Sequence, residues 1–307
     1  MEREHRELPP HRKQLVDMVI ANLQKGNIPW HRGWSADDFP KNAVTGKEYK
    51  GVNFLLLSMY PYSDNRWCTF LQAKEKGWKI KKGAKGAPIE LYKHLDLRTK
   101  KEVDWDKVTA EIAKMSIDEK QEFFKKNIRI LLRTYTVFNA EQIDGIPERV
   151  RKPRTEKQLA TQSERAENII ANSQAKIFYN GNGRNYYKPS SDTIHLCNIE
   201  TFDTMQDYYS VAFHEMGHST GHKSRLDRDL TGKYGGQKYA KEELCVELAS
   251  MFMQHDIGLT LTEQHIKNHS AYIQSWIKLL RDDPKELFNA VSQANKIVKY
   301  VLDFETK

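Results

Sequence analysis

Apolar residues recur along this chain at two spacings, and the switches between them mark its elements. In residues 11–25, Leu15, Met18, Val19, Asn22 and Leu23 follow the 3.6-residue period of one helix face, and Gly26 supplies a stop. Thr69 is placed to cap a short helix that runs to Glu75 and ends at Gly77. IELYKHLDL reads as a strand, and ILLRTYTVFNAEQI returns as a second, alternating at Leu132, Thr134 and Thr136. The 104–126 segment between them is charged and helical in pattern, with Val108, Ile112 and Met115 as apolar positions, so it reads as an insertion between strands. These elements predict a small α+β domain around an antiparallel sheet.

The pattern lapses at PERVRKPRTEKQ, residues 147–158, which is basic, proline-bearing and poor in large apolar residues. We read it as a linker between an N-terminal domain over 1–146 and a mainly helical domain over 159–307. A helix is expected over about 156–171. In KIFYNGNGRNYYKPSSDTIHL, Asn180-Gly181 and Asn182-Gly183 are turn signals, and Thr193-Ile194-His195-Leu196 has strand character. The strand through Ile194 is expected to hold an extended peptide by edge pairing, with an ordinary hairpin as the alternative. AYIQSWIKLL and LFNAVSQANKIVKYVLDF are two amphipathic helices split near Asp283-Pro284.

Chemistry concentrates in YYSVAFHEMGHSTGH, residues 208–222. On a helix, His214 and His218 of the HExxH pentad lie one above the other and can bind one cation. Tyr209, Ala212, Phe213 and Met216 form a separate apolar stripe that faces a core. Zinc favours neutral imidazole, and a catalytic zinc keeps three protein ligands and one water, whose pKa the metal lowers toward ~7. A neighbouring carboxylate can take that proton and pass it to a leaving amine. Glu215 is therefore the candidate catalytic residue, and Zn2+ the expected cofactor.

The third ligand must come from further along. His222 lies past Gly221, where the helix is expected to end. The longer pattern HExxHxxGxxH matches through Gly221 but requires His at 224, where the chain has Ser224. Asp227 and Asp229 sit in a polar loop. YAKEELCVELASMFM instead reads as a buried helix with Glu243 and Glu247 one turn apart, and buried carboxylates are costly unless they meet a cation. Glu243 is expected on the metal. Glu247 is expected behind His214 or His218 as acceptor of a ring N–H, and is the alternative ligand. Glu242 is expected to point elsewhere, into water.

Composition narrows the function classes. The 307 residues carry no apolar run approaching a membrane span, and MEREHRELPPHRKQL lacks the apolar core of a secretion signal. Cys68, Cys197 and Cys245 are odd in number and form no CxxC, so reduced thiols in a cytoplasmic protein are expected. A net charge of +8 favours acidic partners, nucleic acid first. Between residues 28 and 94, aromatics and cations interleave, as in surfaces where bases stack on rings and cations follow phosphates. The candidate DNA-binding residues are Trp30, Trp34, Asn42, Tyr49, Asn53, Trp67, Lys81, Lys82 and Lys85, with Gly83 and Gly86 allowing backbone N–H groups near a phosphate. For any one tryptophan the competing reading is a core residue, and for Asn42 or Asn53 turn chemistry.

Taken together, the chain resembles the ArdC-type antirestriction proteins of plasmids and other mobile elements. In the first half the resemblance is carried by KNAVTGKEYKGVN, RWCTFLQAKEKGWKIKKGAKGAPI and YTVFNAEQIDG. In the second it is carried by YYKPSSDTIHL, FHEMGHSTGHKSRLDRDL, YAKEELCVELASMF and AYIQSWIKLL. Only the 104–126 segment stands outside it. The resemblance implies an N-terminal single-stranded-DNA-binding domain and a C-terminal zincin-like metallopeptidase domain of gluzincin type. It puts the zinc motif on His214, Glu215 and His218, with Glu243 as the matching downstream acid. The implied role is protection of incoming DNA from host restriction, with single-stranded DNA and an unidentified protein substrate as partners and no membrane. The alternatives are a DNA-masking protein with structural zinc, and a protease acting on proteins crosslinked to DNA.

Overall fold

The computed structural model describes residues 7–28, 39–150, 155–233, 235–259 and 270–305. Chain order runs α1 (Pro10–Gln24), β1 (Lys41–Asn42), α2 (Gly51–Ser58), β2 (Arg66–Thr69), α3 (Phe70–Glu75), β3 (Lys79–Ile80), β4 (Ala87–Asp96) and β5 (Lys101–Glu102). It continues with α4 (Trp105–Ile112), α5 (Ile117–Asn127), β6 (Ile128–Asn139), β7 (Ile143–Asp144), α6 (Glu156–Ala171), β8 (Lys176–Tyr179), β9 (Tyr186–Lys188) and β10 (Thr193–Leu196). The last helices are α7 (Met205–Ser219), α8 (Gln237–Ile257), α9 (Ser270–Asp282) and α10 (Glu286–Leu302). The result is an α+β protein. No described helix is long and apolar enough to cross a membrane.

The elements gather into two compact units, one of residues 1–66 and 147–307, the other of 67–146. This differs from the expected division into 1–146 and 159–307. The reason is apolar burial: Leu15, Val16, Val19 and Leu23 of α1 and Phe54, Leu55 and Leu56 of α2 share one continuous core with α7, α8 and α10. Helical period alone reports that a face is buried, not what buries it.

In the larger unit, α8 is buried on nearly all sides, with Leu244, Val246, Leu248, Ala249 and Met253 inaccessible to solvent. The α7 stripe of Tyr209, Ala212, Phe213 and Met216 is buried as its spacing requires. Gly217 lets the two helices approach closely: a Cβ there would lie 2.8 Å from Val246 Cγ1. A three-stranded sheet has the order β8-β10-β9, with β10 parallel to β8 and antiparallel to β9. Ile194 and Leu196 of β10 are fully buried.

The smaller unit is built on a long antiparallel ribbon. β4 and β6 pair from Ala87↔Val137 to Asp96↔Ile128, while β2 joins only the end of β6, at Trp67↔Asn139 to Thr69↔Val137. β5 extends the far end of β4, and β3 pairs with β7. Thr69 caps α3 in a reciprocal capping box with Gln72. The inserted 104–126 segment forms α4 and α5, capped by Asp104 and Ser116, and Trp105 rests against His94 and Phe124.

Candidate metal centre

Thr204 starts α7 by accepting the Asp207 N–H at 3.2 Å. Three turns later the helix points His214 and His218 at each other, with Nε2 atoms 3.1 Å apart. Their outer nitrogens face carboxylates: His214 Nδ1 lies 3.0 Å from Glu247 Oε2, and His218 Nδ1 lies 3.2 Å from Glu242 Oε1. Nδ1 is then the donor on each ring. Neutral rings held this way bring two Nε2 lone pairs face to face, an arrangement relieved by protonation or by a cation bound between them.

Glu243 closes the third side. Its carboxylate lies 3.6 Å from His214 Nε2 and 3.4 Å from His218 Nε2. One ligand atom from each of the three residues lies within 4.8 Å of the others. Imidazole nitrogens bound tetrahedrally at about 2.0–2.1 Å sit roughly 3.3 Å apart, so the donor set fits a small divalent cation. α8 supplies Glu243 because Gly217 leaves room for it to come near.

The field is tuned for positive charge. Burial resists charging His218, but the Glu243 carboxylate and hydrogen bonds to Glu242 and Glu243 outweigh it and lift the imidazole to about 9. His214 is raised well above its ordinary value against burial by hydrogen bonds to Glu243 and Glu247. Burial opposes ionisation of Glu243, yet the two imidazoles, His218 foremost, hold it well below the usual carboxylate range. What favours a proton here also favours a divalent metal.

Two expectations about the surroundings of the two histidines need correction. Glu242 is not solvated: its side chain is 10% exposed and receives His218 and the Arg228 guanidinium. Burial would raise its pKa, but hydrogen bonds from His218 and Arg228 bring it down. The strand through Ile194 cannot offer an edge, because β10 is paired on both sides. β9 is an edge strand instead, and Tyr186 and Tyr187 on it line the cleft. Turn signals in the sequence announce a hairpin but not which strand lies outermost.

The cleft has two lobes that meet at His214, Glu215 and Glu243. The narrower, about 300 Å³, is walled by Tyr187, Leu230, Lys238 and Tyr239, and the wider, about 1350 Å³, by Asn180, Arg184, Phe202 and Val211. Tyr272 lines both and its hydroxyl meets that of Tyr239 at 2.9 Å. Glu215 is buried among the protein groups yet lines both lobes.

The DNA-binding candidates fare unevenly. Trp30 and Trp34 lie outside the described residues. Trp67 is 2% exposed, which corrects its reading as a stacking surface. Asn42 is a turn residue: its Oδ1 accepts the Val44 and Thr45 N–H groups, and its Nδ2 donates to Tyr49 Oη. Tyr49 and Asn53 are half-buried, whereas Lys81, Lys82 and Lys85 are exposed. Lys81 Nζ donates to the Glu141 carbonyl.

Register reveals cations that sequence reasoning passed over. Pairing places Leu91 opposite Arg133, Lys93 opposite Leu131, Leu95 opposite Arg129 and Ile89 opposite Tyr135, all on one face of the ribbon. Arg129, Arg133, Leu91 and Tyr135 are exposed there. The alternation of β6 could have indicated a shared face for Arg129, Arg133 and Tyr135. Their partners on β4 could not be known without the register.

Residues 9–138 match the family described as the N-terminal domain of anti-restriction factor ArdC, and residues 164–293 match the family described as zincin-like metallopeptidase. Over 97% of its length the chain is 38% identical to DNA primase TraC of Escherichia coli, of which it spans 27%. It is 32% identical to the uncharacterized protein y4eC of Sinorhizobium fredii, with 94% of this chain and 90% of that protein covered. The crystal structure of the antirestriction ArdC protein from plasmid R388, in its Mn(II)-bound form, matches with a TM-score of 0.69 and 29% identity, covering 98% of this chain and 99% of that one. The chain belongs to the ArdC-type family, in which an ArdC N-terminal domain is joined to a zincin-like metallopeptidase domain.

Proposed function

We propose that this is an antirestriction factor that binds single-stranded DNA and cleaves a peptide bond in a DNA-associated protein at a zinc centre on His214, His218 and Glu243. The observation that carries the reading is the pair of facing imidazole nitrogens closed by Glu243, at the meeting point of two cleft lobes beside Glu215. When bound, the metal supplies a Lewis acid and an acidified water. With a cation held by His214, His218 and Glu243, Glu215 would be placed to act as general base toward water and as general acid toward the leaving amine. The β9 edge holds an extended peptide through its backbone groups, and Glu242 and Glu247 keep the two imidazoles oriented. The relative of known structure binds Mn(II), so metal analysis of purified protein separates zinc from manganese. We place the protein in the cytoplasm.

A second reading is a DNA-masking protein whose metal serves only the fold, favoured by the exposed cations of the smaller unit. Plasmid transfer into a restricting recipient separates the two, comparing wild type with Glu215→Gln at equal expression and metal content. The first reading expects protection to be lost in the variant. Equal protection would overturn it in favour of masking. Cleavage of many unrelated DNA-bound proteins, lost in the same variant, would instead indicate a protease for crosslinked proteins.

A further inference from the structure

The two histidines rest on carboxylates of different kinds. Glu247, behind His214, sits in the middle of α8 with its side chain 1% exposed, so the core holds it in place. Glu242, behind His218, lies near the start of α8 at the margin of the narrow lobe. Its side chain is 10% exposed, and a free carboxylate there would gain by turning toward water. One side chain prevents this.

We propose that Arg228 is a positioning residue of the metal centre, locking Glu242 behind His218 and so fixing how that imidazole meets the cation. Its guanidinium grips both oxygens of Glu242, Nε to Oε2 at 3.0 Å and Nη2 to Oε1 at 2.8 Å. The same group donates to the Gly217 carbonyl at 2.8 Å and to Thr220 Oγ1 at 2.7 Å. One rigid fork therefore ties the end of α7 to the start of α8. Oε1 of Glu242 accepts from Arg228 and His218 together, so the imidazole's support cannot move while the fork is in place. The ion pair is itself shielded, with side-chain exposures of 9% and 10%.

The loop after α7 is shaped to deliver this group. Leu226 N–H returns to the Thr220 carbonyl, and Arg228 N–H to the Gly221 carbonyl. Asp227 takes a left-handed turn at φ 48°. Arg225 anchors the same loop to the Ser219 carbonyl and to Asp192. Carbonyls at a helix C-terminus lack partners within the helix, and cations complement that end. Capping alone would be served by one contact to the helix end. The bidentate grip on Glu242 goes beyond capping, and lysine cannot reproduce it.

The proposal rests on the metal-centre reading, and the test separates the two. Zn2+ affinity is measured on the full chain by chelator competition, and ligand geometry by the visible absorption of the Co2+ form. Circular dichroism and melting of the metal-free protein monitor the fold. Arg228→Gln is expected to weaken Zn2+ binding about 10- to 100-fold with the fold retained, and to shift the Co2+ bands. Arg228→Lys should recover only part of the loss. Because Arg228 acts through Glu242, adding Arg228→Gln to Glu242→Gln should cost little more than Glu242→Gln alone.

Unchanged affinity and Co2+ spectrum in Arg228→Gln would overturn the proposal and leave the metal centre standing. Full additivity with Glu242→Gln would also overturn it, since Arg228 would then act by another route. A wild-type chain that binds neither ion would overturn the metal-centre reading and this proposal with it. If Arg228→Gln does not fold, Arg228→Lys, which keeps the charge at the helix end, decides by the same two measurements: weakened affinity with shifted bands supports the proposal, and wild-type values overturn it.

Discussion

The polar clusters singled out in the two units differ in burial. The larger buries His214, Glu215, Glu243 and Glu247 within a helical core, and the smaller displays Arg129, Arg133 and Tyr135 on a thin ribbon. A buried charge must find a partner, because desolvation costs several kcal/mol per ion. An exposed charge needs only water, and its pairing contributes about 0–1 kcal/mol. Hence the buried cluster constrains function tightly, since few arrangements besides a bound cation satisfy it. The exposed face constrains function loosely, and its partner must be sought by binding.

His218→Ala tests the comparison most severely. It removes one of the three proposed ligands, so stoichiometric metal should be lost, read by elemental analysis after dialysis. Binding of a single-stranded oligonucleotide should stay within about 2-fold, because the DNA contacts are assigned to other residues. Metal retained at wild-type level would break the site. A parallel loss of DNA binding in a folded variant would break the contrast between the units.

Gly217→Ala should have the next effect. Its Cβ would meet Val246 at 2.8 Å, forcing α7 and α8 apart or Val246 into another rotamer. Overpacking of this kind costs about 1–3 kcal/mol, seen as a lower urea midpoint at unchanged m-value. Metal affinity should weaken as well, since Glu243 lies on the displaced helix. A variant as stable as wild type with full metal affinity would show that the close approach is not what sets the ligand geometry.

The smallest effect is expected in the smaller unit. Replacing Arg129 and Arg133 with alanine should reduce the salt slope of oligonucleotide binding by about 1 for each phosphate no longer neutralised. Stability should change by no more than about 0.5 kcal/mol, because both side chains are exposed. An unchanged slope would move the DNA contacts elsewhere, with Lys81, Lys82 and Lys85 as the next set to replace.

Sequence alone singled out whatever depends on neighbours within one element. The helical period placed His214 and His218 on one face and marked α8 as buried, and buried acids in α8 pointed to Glu243 and Glu247. The cap at Thr69, the helix over 156–171 and the strand at 193–196 were equally legible, since turns and caps are written within a few residues. Tertiary structure decided the rest. It took α1 and α2 into the core around α7, put β9 rather than β10 at the sheet edge, buried Trp67, and turned Glu242 inward onto His218. Arg228 lies in a loop with no periodicity of its own, and only folding brings it against two helix ends. The physical reason is the same in each case. Periodicity records that a face must be covered and that a charge must be answered, whereas the residues that cover and answer it lie far along the chain and meet it only in the folded molecule.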